Sequence, residues 1–392
     1  MNRNNLIIII AGLVLYFFST AVSYAVFSYN KGPSSISTIT SPLAEISGQP
    51  ANKFKIDPSI PKTEVCPLNG QNYTKGERET WEKRRPLAVM IENHAEARPQ
   101  SGLSYADIVY EAVAEGGTSR FMAVFYCGVA AGNLGVAPVR STRTYFLPWV
   151  LEYDALYNHV GGAGRCIDET VDARAKALCQ IGQYGIKDLD QFGIGFPNCY
   201  RNPDRLGHPV ATEHQMVCFT DNLYKIAQDR GWTNVDEDGV AWNKNFEPWK
   251  FKKEANPAER GNPTPVEFNF WEGYKDYAVR WEYDKEGNFY RRSNGGSPQK
   301  DLEGKVDLTA KNIVIEFAKE TGPVDDHGHL LYENIGQGKA LIFQDGKTIE
   351  GTWVKKTKNS RTKFFDKGGA EVAFNPGQIW IELVPLGTKI NY

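Results

Sequence analysis

Residues 85–126 read RPLAVMIENHAEARPQSGLSYADIVYEAVAEGGTSRFMAVFY and contain the first regular pattern of the chain. Residues 86–91 and 120–127 are short apolar runs bounded by polar residues, which is typical of buried strands. Between them, residues 104–113 begin with a Ser-x-x-Asp start, and apolar side chains follow at helical spacing. A third apolar run, residues 155–160, is also predicted to be a strand. Strands that alternate with helices predict an α/β-type mixed sheet.

The rest of the chain divides into two regions that differ in their predicted secondary structure. Residues 167–178 and 221–231 are predicted helices, so a first domain with strands and helices spans residues 84–233. Beyond it, apolar runs follow in the strand manner, and the QDGK of residues 344–347 gives the strongest short hairpin signal. We therefore predict an α+β protein of two different domains, with the mixed sheet first and a β-rich domain at residues 240–392.

An uncharged apolar run, residues 6–27, lies near the amino terminus. Its 22 residues would make a transmembrane helix of about 33 Å, enough to cross the hydrocarbon core of a bilayer. Arg3 precedes the run, which predicts a plasma-membrane protein with one pass and a cytoplasmic amino terminus. A cleaved signal peptide, with a poor cleavage site at residues 23–25, is the alternative. Residues 31–392 are predicted to be extracytoplasmic.

Two segments precede the folded part in this interpretation. Residues 1–30 are the cytoplasmic tip and the anchor, and residues 31–83 are a flexible stalk and an irregular approach, rich in Ser, Pro, Gly and Thr at first. No cysteine lies in or just after the apolar run. Lipid attachment at a signal-peptidase cysteine is therefore not predicted.

Composition excludes several classes of protein. Of the 392 residues, 41% are hydrophobic, 12% aromatic and 23% charged, which is ordinary for a globular protein. Lys+Arg number 45 against 47 Asp+Glu, so no basic excess indicates a nucleic-acid partner. The mean hydropathy of −0.45 excludes a protein with many membrane spans.

The six cysteines permit disulfides outside the cytoplasm. None forms a C-x-x-C pair, so zinc-ribbon and thioredoxin signatures are absent. Cys166 with Cys179 and Cys199 with Cys218 are the nearest pairs in sequence, but six cysteines allow 15 connectivities. Buried free thiols are the alternative.

From Arg84 to Arg174 every basic residue is an arginine. One interpretation is a structural network in which these arginines pair with nearby carboxylates. The other is a cleft in which a few arginines remain for an anionic ligand, since the guanidinium fork suits carboxylate and phosphate.

Three polar loops follow predicted strands, where open α/β sheets tend to place their sites. They are residues 92–102, 138–143 and 159–164. The Gly-rich part of the last loop lacks the full dinucleotide fingerprint, and no cofactor is predicted. The candidate ligand-binding residues in the first two loops are Arg98, Gln100, Ser101, Arg140, Ser141 and Arg143.

Catalytic chemistry has weaker signals. His94 and His159 are candidate acid/base residues next to Glu92. No G-x-S-x-G, H-E-x-x-H or S-x-x-K motif accompanies them, so the sequence leaves open whether the protein is an enzyme.

A DDHGH run contains a possible metal-ligand pattern at Asp325, His327 and His329, which would share one face of a strand. No further cluster completes a site, and a Gly-centred turn explains the run equally well. We predict no metal centre from the sequence.

Long motifs in both halves resemble the YerB-like family of bacterial envelope proteins. The resemblance covers roughly residues 84–387. It implies two different α+β domains in an extracytoplasmic, membrane-attached protein, although family members are commonly lipoproteins. The family has no established reaction, so it supplies no catalytic residues. The motifs are RPLAVMIENHAEARPQSGLSYADIVYE, APVRSTRTYFLPWVLEYDALYNHVGGA, DGKTIEGTWVK, TKFFDKGG and NPGQIWIELVP.

The leading hypothesis is a membrane-anchored accessory module for cell-wall processes. It would bind an anionic cell-wall component or an envelope protein through the three loops. The alternative is an enzyme that acts on cell-wall glycan or peptide with a His/Glu/Arg cleft in the first domain. A purely structural scaffold is the third possibility.

Overall fold

The computed structural model describes residues 59–392. The predicted anchor at residues 6–27 and the first part of the stalk lie outside these residues. In the part of the chain that is described, no helix is both long enough and apolar enough to cross a membrane.

Short strands and a few short helices make up the amino-terminal half. The helices are α1 (Lys75–Trp81), α2 (Leu147–Glu152), α3 (Ala177–Gln183), α4 (Gln191–Ile194) and α5 (Thr220–Asp229). The strands are β1 (Lys62–Val65), β2 (Asn72–Thr74), β3 (Leu87–Glu92), β4 (Ile108–Val113), β5 (Ser119–Phe125), β6 (Gly135–Val136), β7 (Leu156–His159), β8 (Lys187–Asp190), β9 (Cys199–Arg201) and β10 (Met216–Phe219).

The carboxyl-terminal half consists of strands and turns, which confirms the predicted β-rich region. The hairpin predicted at Asp345-Gly346 joins the strands Gly336–Gln344 and Lys347–Lys355. The strands are β11 (Val266–Phe268), β12 (Val279–Asp284), β13 (Phe289–Asn294), β14 (Ser297–Pro298), β15 (Lys300–Asp301), β16 (Val306–Asp307), β17 (Thr309–Ala310), β18 (Asn312–Ala318), β19 (Glu320–Thr321), β20 (Leu331–Tyr332), β21 (Gly336–Gln344), β22 (Lys347–Lys355), β23 (Lys363–Asp366) and β24 (Ile379–Pro385).

One mixed sheet of ten strands runs through both halves, in the order β23-β22-β21-β18-β24-β4-β5-β3-β7-β8. The halves meet where β24 pairs in parallel with β4, from Ile379 opposite Ile108 to Leu383 opposite Ala112. In the first half, β3 pairs antiparallel with β5 and parallel with β7. The mixed sheet confirms the predicted class. Its continuity across the halves is not anticipated by the sequence, and the described residues, 59–392, belong to one compact unit.

The helix predicted at residues 104–113 is wrong, because Ile108–Val113 is the strand β4. All six of its residues are buried, with β5 on one side and β24 on the other. A strand covered on both faces needs apolar residues at every position, and such a run also contains helical spacing. The β-branched Ile108, Val109 and Val113 favour the strand.

The other two predicted helices, at residues 167–178 and 221–231, have different outcomes. The helix predicted at residues 221–231 is confirmed as α5. The helix predicted at residues 167–178 is mostly loop, and α3 begins only at Ala177. Asp168 accepts hydrogen bonds from the backbone and hydroxyl of Thr170, and Asp172 accepts one from the backbone of Arg174. Such local bonds compete with helical ones.

All six cysteines are paired, as Cys66–Cys127, Cys166–Cys179 and Cys199–Cys218. The two nearest pairs in sequence are therefore both joined, and the free-thiol alternative is wrong. The first disulfide ties the approach segment to the end of β5, which the sequence does not indicate.

A buried ion cluster lies where the halves join. Arg292 of β13 is 2.5 Å from Glu111 of β4 and 2.5 Å from Glu382 of β24, and all three side chains are fully buried. Trp281 and Trp380 pack their rings against the guanidinium. Burial raises the pKa of Glu382, as does the charge of Glu111, although Arg292 opposes the shift. One cation thus bridges carboxylates from both halves.

Candidate functional site

The three predicted loops come together at the carboxyl ends of β3 and β7. These two strands are parallel neighbours, so their carboxyl ends lie at the same edge of the sheet. Residues 138–143 run between the loops that follow the strands. The backbone hydrogen bonds that join the segments are Glu92 N to Pro138 O (2.9 Å), Ser101 N to Ala137 O (2.8 Å), Val160 N to Arg140 O (3.1 Å) and Thr142 N to Gly161 O (3.1 Å).

The carboxylate of Glu92 is the centre of this edge. Glu92 is the last residue of β3 and is 3% exposed. Its Oε1 lies 3.0 Å from Nε of Arg140, and its Oε2 lies 2.8 Å from Nδ1 of His214. Because a carboxylate beside a cation accepts and does not donate, the His214 Nδ1–H donates this bond. Glu92 therefore forms an ion pair with an arginine and a hydrogen bond with an imidazole.

His214 connects Glu92 with a second histidine and a second glutamate. Its Nε2 atom lies 3.7 Å from Oε2 of Glu96. The ring of His94 stacks on the ring of His214, with centroids 4.7 Å apart and planes inclined by 13°. His94 Nδ1 accepts the backbone N–H of Glu96 at 3.3 Å. We call Glu92, His94, Glu96, Arg140 and His214 the histidine cluster.

The histidine cluster is buried at its base and open at its rim. The side chains of Glu92 and His214 are 4% and 6% exposed, whereas those of Arg140 and Glu96 are 29% and 66% exposed. The Nε of Arg140 faces Glu92. The guanidinium forms an ion pair with Glu92, but within residues 59–392 neither Nη atom of Arg140 donates a hydrogen bond, so both remain as donors for a bound group.

His159 lies in a separate environment from the other two catalytic candidates. It is fully buried, with Nδ1 2.8 Å from the Gly161 carbonyl oxygen and Nε2 3.1 Å from Oδ1 of Asp188. These contacts hold the loop after β7 against β8. The structure brings together Glu92 and His94, and it gives His159 other partners.

Arg98 and Gln100 hold the first loop against the carboxyl-terminal half. Arg98 donates to Asn93 and to the Asp276 carbonyl oxygen at 2.9 Å. Gln100 is fully buried, donates to the Glu92 carbonyl oxygen at 3.1 Å and accepts from Gln299 at 3.0 Å. Ser101 is also buried. A ligand-binding role for these three residues stays a prediction.

Arg143 and Arg140 face different carboxylates. Arg143 binds Glu115 through two hydrogen bonds of 2.5 Å, and its Nη1 donates to Ser141 Oγ at 3.2 Å. Burial alone would raise the pKa of Glu115, but the hydrogen bonds and charge of Arg143 outweigh the effect of burial. The pKa of Glu115 is therefore lowered. The predicted structural arginine network is thus confirmed for these pairs. A shared anion site of Arg140, Ser141 and Arg143 stays a prediction.

The three weak metal candidates, Asp325, His327 and His329, lie in one turn, which hydrogen bonds to Asp325 hold together. Asp325 accepts backbone N–H bonds from His327 at 3.1 Å and His329 at 3.3 Å, and its Oδ2 lies 2.8 Å from Nδ1 of His329. The Nε2 of His327 lies 3.0 Å from Thr170 Oγ1. These contacts favour the Gly-centred turn as the reason for the DDHGH run.

Sequence reasoning missed Glu96 and His214 as members of the site. His214 ends a short 3-10 helix, Thr212–His214, that leads into β10. It is separated from Glu92 by 122 positions, and no local pattern joins the two. The one available signal is a histidine two residues before the apolar run Met216–Phe219, which is consistent with a buried imidazole.

A cavity of about 840 Å³ lies outside the histidine cluster, between α1 and α5. Lys83, Arg84 and Arg85 line it together with the rings of Tyr224 and Trp232. The Arg84 guanidinium lies 4.4 Å from the Tyr224 ring centroid. Its Nη1 is buried without a hydrogen-bond partner within residues 59–392. The cavity is a second surface that could hold an anionic group.

The comparisons with known proteins agree with the two-part organisation. Residues 73–233 match the family model described as "Protein of unknown function (DUF3048) N-terminal domain", and residues 266–381 match the corresponding C-terminal domain. A relative in Bacillus subtilis (strain 168), named "Putative lipoprotein YerB", is 31% identical over 329 residues, which is 84% of this chain and 88% of the relative. The crystal structure of the YerB protein from Bacillus subtilis is similar with a TM-score of 0.67 and 28% identity, covering 84% of this chain and 100% of that chain. The chain therefore belongs to the DUF3048 family, which takes in YerB.

Proposed function

We propose that this protein is an extracytoplasmic, envelope-associated binding protein that takes an anionic envelope component at the histidine cluster. The name of the relative, a lipoprotein, supports a position at the membrane. The apolar run at residues 6–27 provides this chain with a single-pass anchor in place of a lipid. Three disulfides among the described residues fit an oxidising compartment.

The observation that carries the binding proposal is the state of Arg140. The ion pair with Glu92 keeps the guanidinium at this edge before any ligand arrives, although the Nε donates no hydrogen bond within residues 59–392. The side chain is 29% exposed, and its two Nη groups match a carboxylate or phosphate, the anionic groups of cell-wall peptides and teichoic acids. Preorganisation of this kind lowers the entropy cost of binding.

Sedimentation with purified cell-wall sacculi tests the proposal. Full-length protein in detergent is mixed with sacculi that retain their teichoic acid, and the bound fraction is measured. We expect Arg140→Gln to weaken binding roughly tenfold or more, because a charged hydrogen-bond donor pair is lost. Arg174→Gln is the matched control, since Arg174 is an exposed arginine paired with Asp172.

Two outcomes would contradict the proposal. Binding that is equal in wild type and Arg140→Gln removes the histidine cluster as the binding site. Loss of binding in Arg84→Gln, with Arg140→Gln unaffected, places the ligand in the cavity between α1 and α5.

A hydrolase is the second candidate, favoured by the Glu92–His214 pair. A carboxylate that holds one ring nitrogen leaves the other as a general base, as in hydrolytic triads. Chromatography of the soluble products after incubation with sacculi tests this activity. Products that form with wild type and with His214→Gln at equal rates would exclude His214 as the base.

A further inference from the structure

The histidine cluster contains the donor set of a transition-metal centre. His94, Glu96 and His214 each place one ligand atom within 4.8 Å of the other two. A tetrahedral Zn²⁺ ion with bonds of 2.0–2.1 Å needs donors about 3.4 Å apart. His94 is partly exposed and the Glu96 side chain is 66% exposed, so both can move towards the ion. The His94 ring must turn out of its stack on His214, because a metal ion lies in the plane of each imidazole that binds it.

His214 is already oriented as a metal ligand. Its Nδ1–H is held by Glu92 at 2.8 Å, which leaves the lone pair on Nε2. That atom points towards Glu96, 3.7 Å away. A carboxylate behind a histidine, with the other ring nitrogen free, is the usual support of a histidine that binds metal. Arg140 forms an ion pair with the other oxygen of Glu92, which favours this position of the carboxylate.

Other donor groups in the described residues do not compete with this one. Cys66, Asp107 and Cys127 also lie close together, but the two cysteines are joined in a disulfide. Two imidazoles and one carboxylate suit Zn²⁺ and related transition metals, whereas Mg²⁺ and Ca²⁺ prefer oxygen ligands alone.

We propose that His94, Glu96 and His214 bind one divalent transition-metal ion of the Zn²⁺ type, with Glu92 as the positioning carboxylate. Three protein ligands leave one tetrahedral position open, as in catalytic zinc sites. In this proposal the anionic group that Arg140 binds takes that position. Its role in ligand capture rests on the proposed function, whereas metal binding itself does not.

Cobalt titration of the full-length protein in detergent tests the inference. The protein carries no polyhistidine tag and is first stripped with a chelator. We expect one Co²⁺ per chain, with the intense visible absorption of a tetrahedral site, and displacement by one equivalent of Zn²⁺. Wild type that gives no saturable Co²⁺ binding would overturn the proposal.

Variants identify the ligands. Glu96→Gln and His214→Gln should weaken Co²⁺ binding strongly, and Glu92→Gln should weaken it roughly 10- to 100-fold. Glu213→Gln is the matched control, because Glu213 is an exposed carboxylate next to His214 and outside the donor group. Glu96→Gln alters an exposed side chain, so it tests the site without loss of the fold. Unchanged affinity in Glu96→Gln and His214→Gln would refute the assignment.

The metal and the ligand proposals fail separately. The titration contains no envelope material, so Co²⁺ binding without capture by sacculi refutes only the proposed function. Capture by sacculi through Arg140 without Co²⁺ binding refutes only the metal site.

Discussion

Glu316 gives the sharpest test of the energetics of the core. It lies in β18, is 1% exposed, and its Oε1 has no hydrogen-bond partner within residues 59–392. Its pKa is raised from 4.5 to about 8. Burial is the main cause and the charge of Glu152 adds to it, while Lys355 and Arg361 oppose the shift. Glu316 is therefore expected to be neutral in the folded protein near neutral pH.

The sign of the pH dependence follows from this shift. The unfolded chain releases the proton near pH 4.5, whereas the folded chain keeps it up to about pH 8. The unfolded state thus binds fewer protons in this window, and stability falls as the pH rises. Each pH unit costs about 1.4 kcal/mol, so the whole window is worth about 5 kcal/mol. Below pH 4.5 the full stability is present.

Glu316→Gln removes this dependence, since an amide does not titrate. We expect the variant to gain about 2.5 kcal/mol over wild type in the free energy of unfolding between about pH 5.5 and 7.5. Urea unfolding followed by tryptophan fluorescence measures the gain. Glu272→Gln, an exposed carboxylate, is the control and should run parallel to wild type. A difference between wild type and Glu316→Gln that does not change with pH would refute the reasoning.

Three further predictions use the same unfolding assay. Arg292→Met should lose roughly 3–5 kcal/mol, because Glu111 and Glu382 keep no buried cation, and an unchanged urea midpoint would contradict this. Joint replacement of Cys66 and Cys127 by alanine should cost about 4 kcal/mol, since the disulfide closes a loop of 61 positions, and dithiothreitol should then have less effect on the midpoint than in wild type. Gly351→Ala should destabilise the protein, because its Cβ would lie 1.9 Å from the Phe365 carbonyl oxygen. Gly76→Ala, in α1 with nothing within 4 Å of the added Cβ, should instead raise the free energy of unfolding by about 0.5–1 kcal/mol. Equal urea midpoints for the two variants would be evidence against the clash.

Local signals predicted the elements whose structure depends on neighbouring residues. The strands at residues 86–91 and 120–127, the helix α5 and the hairpin at Asp345-Gly346 all follow from apolar spacing and turn chemistry. The strand β4 was mistaken for a helix, because a strand buried on both faces loses the alternation that identifies it.

The long-range features could not be predicted in this way. Glu92 and His214 meet across 122 positions, and the pairing of β4 with β24 joins residues more than 270 positions apart. Neither leaves a pattern within a window of sequence. The sequence predicts only that the three loops lie at strand ends, and the structure shows that they meet at one edge, where the parallel strands β3 and β7 both end. The partner of each arginine depends on side-chain packing, which could not be predicted from the sequence.

The position of β24 has a consequence for how the chain is made. Synthesis delivers β4 early, but the neighbour of β4 on one side is encoded at Ile379–Pro385, within the last residues of the chain. Until those residues emerge, the backbone N–H and C=O groups on that edge of β4 have no partner. The apolar side chains of β4 are then also exposed to association with other chains. In this interval the chain is unfolded or half folded. Timing of release, and any chaperone that shields the edge, should therefore limit its yield more than the final stability does.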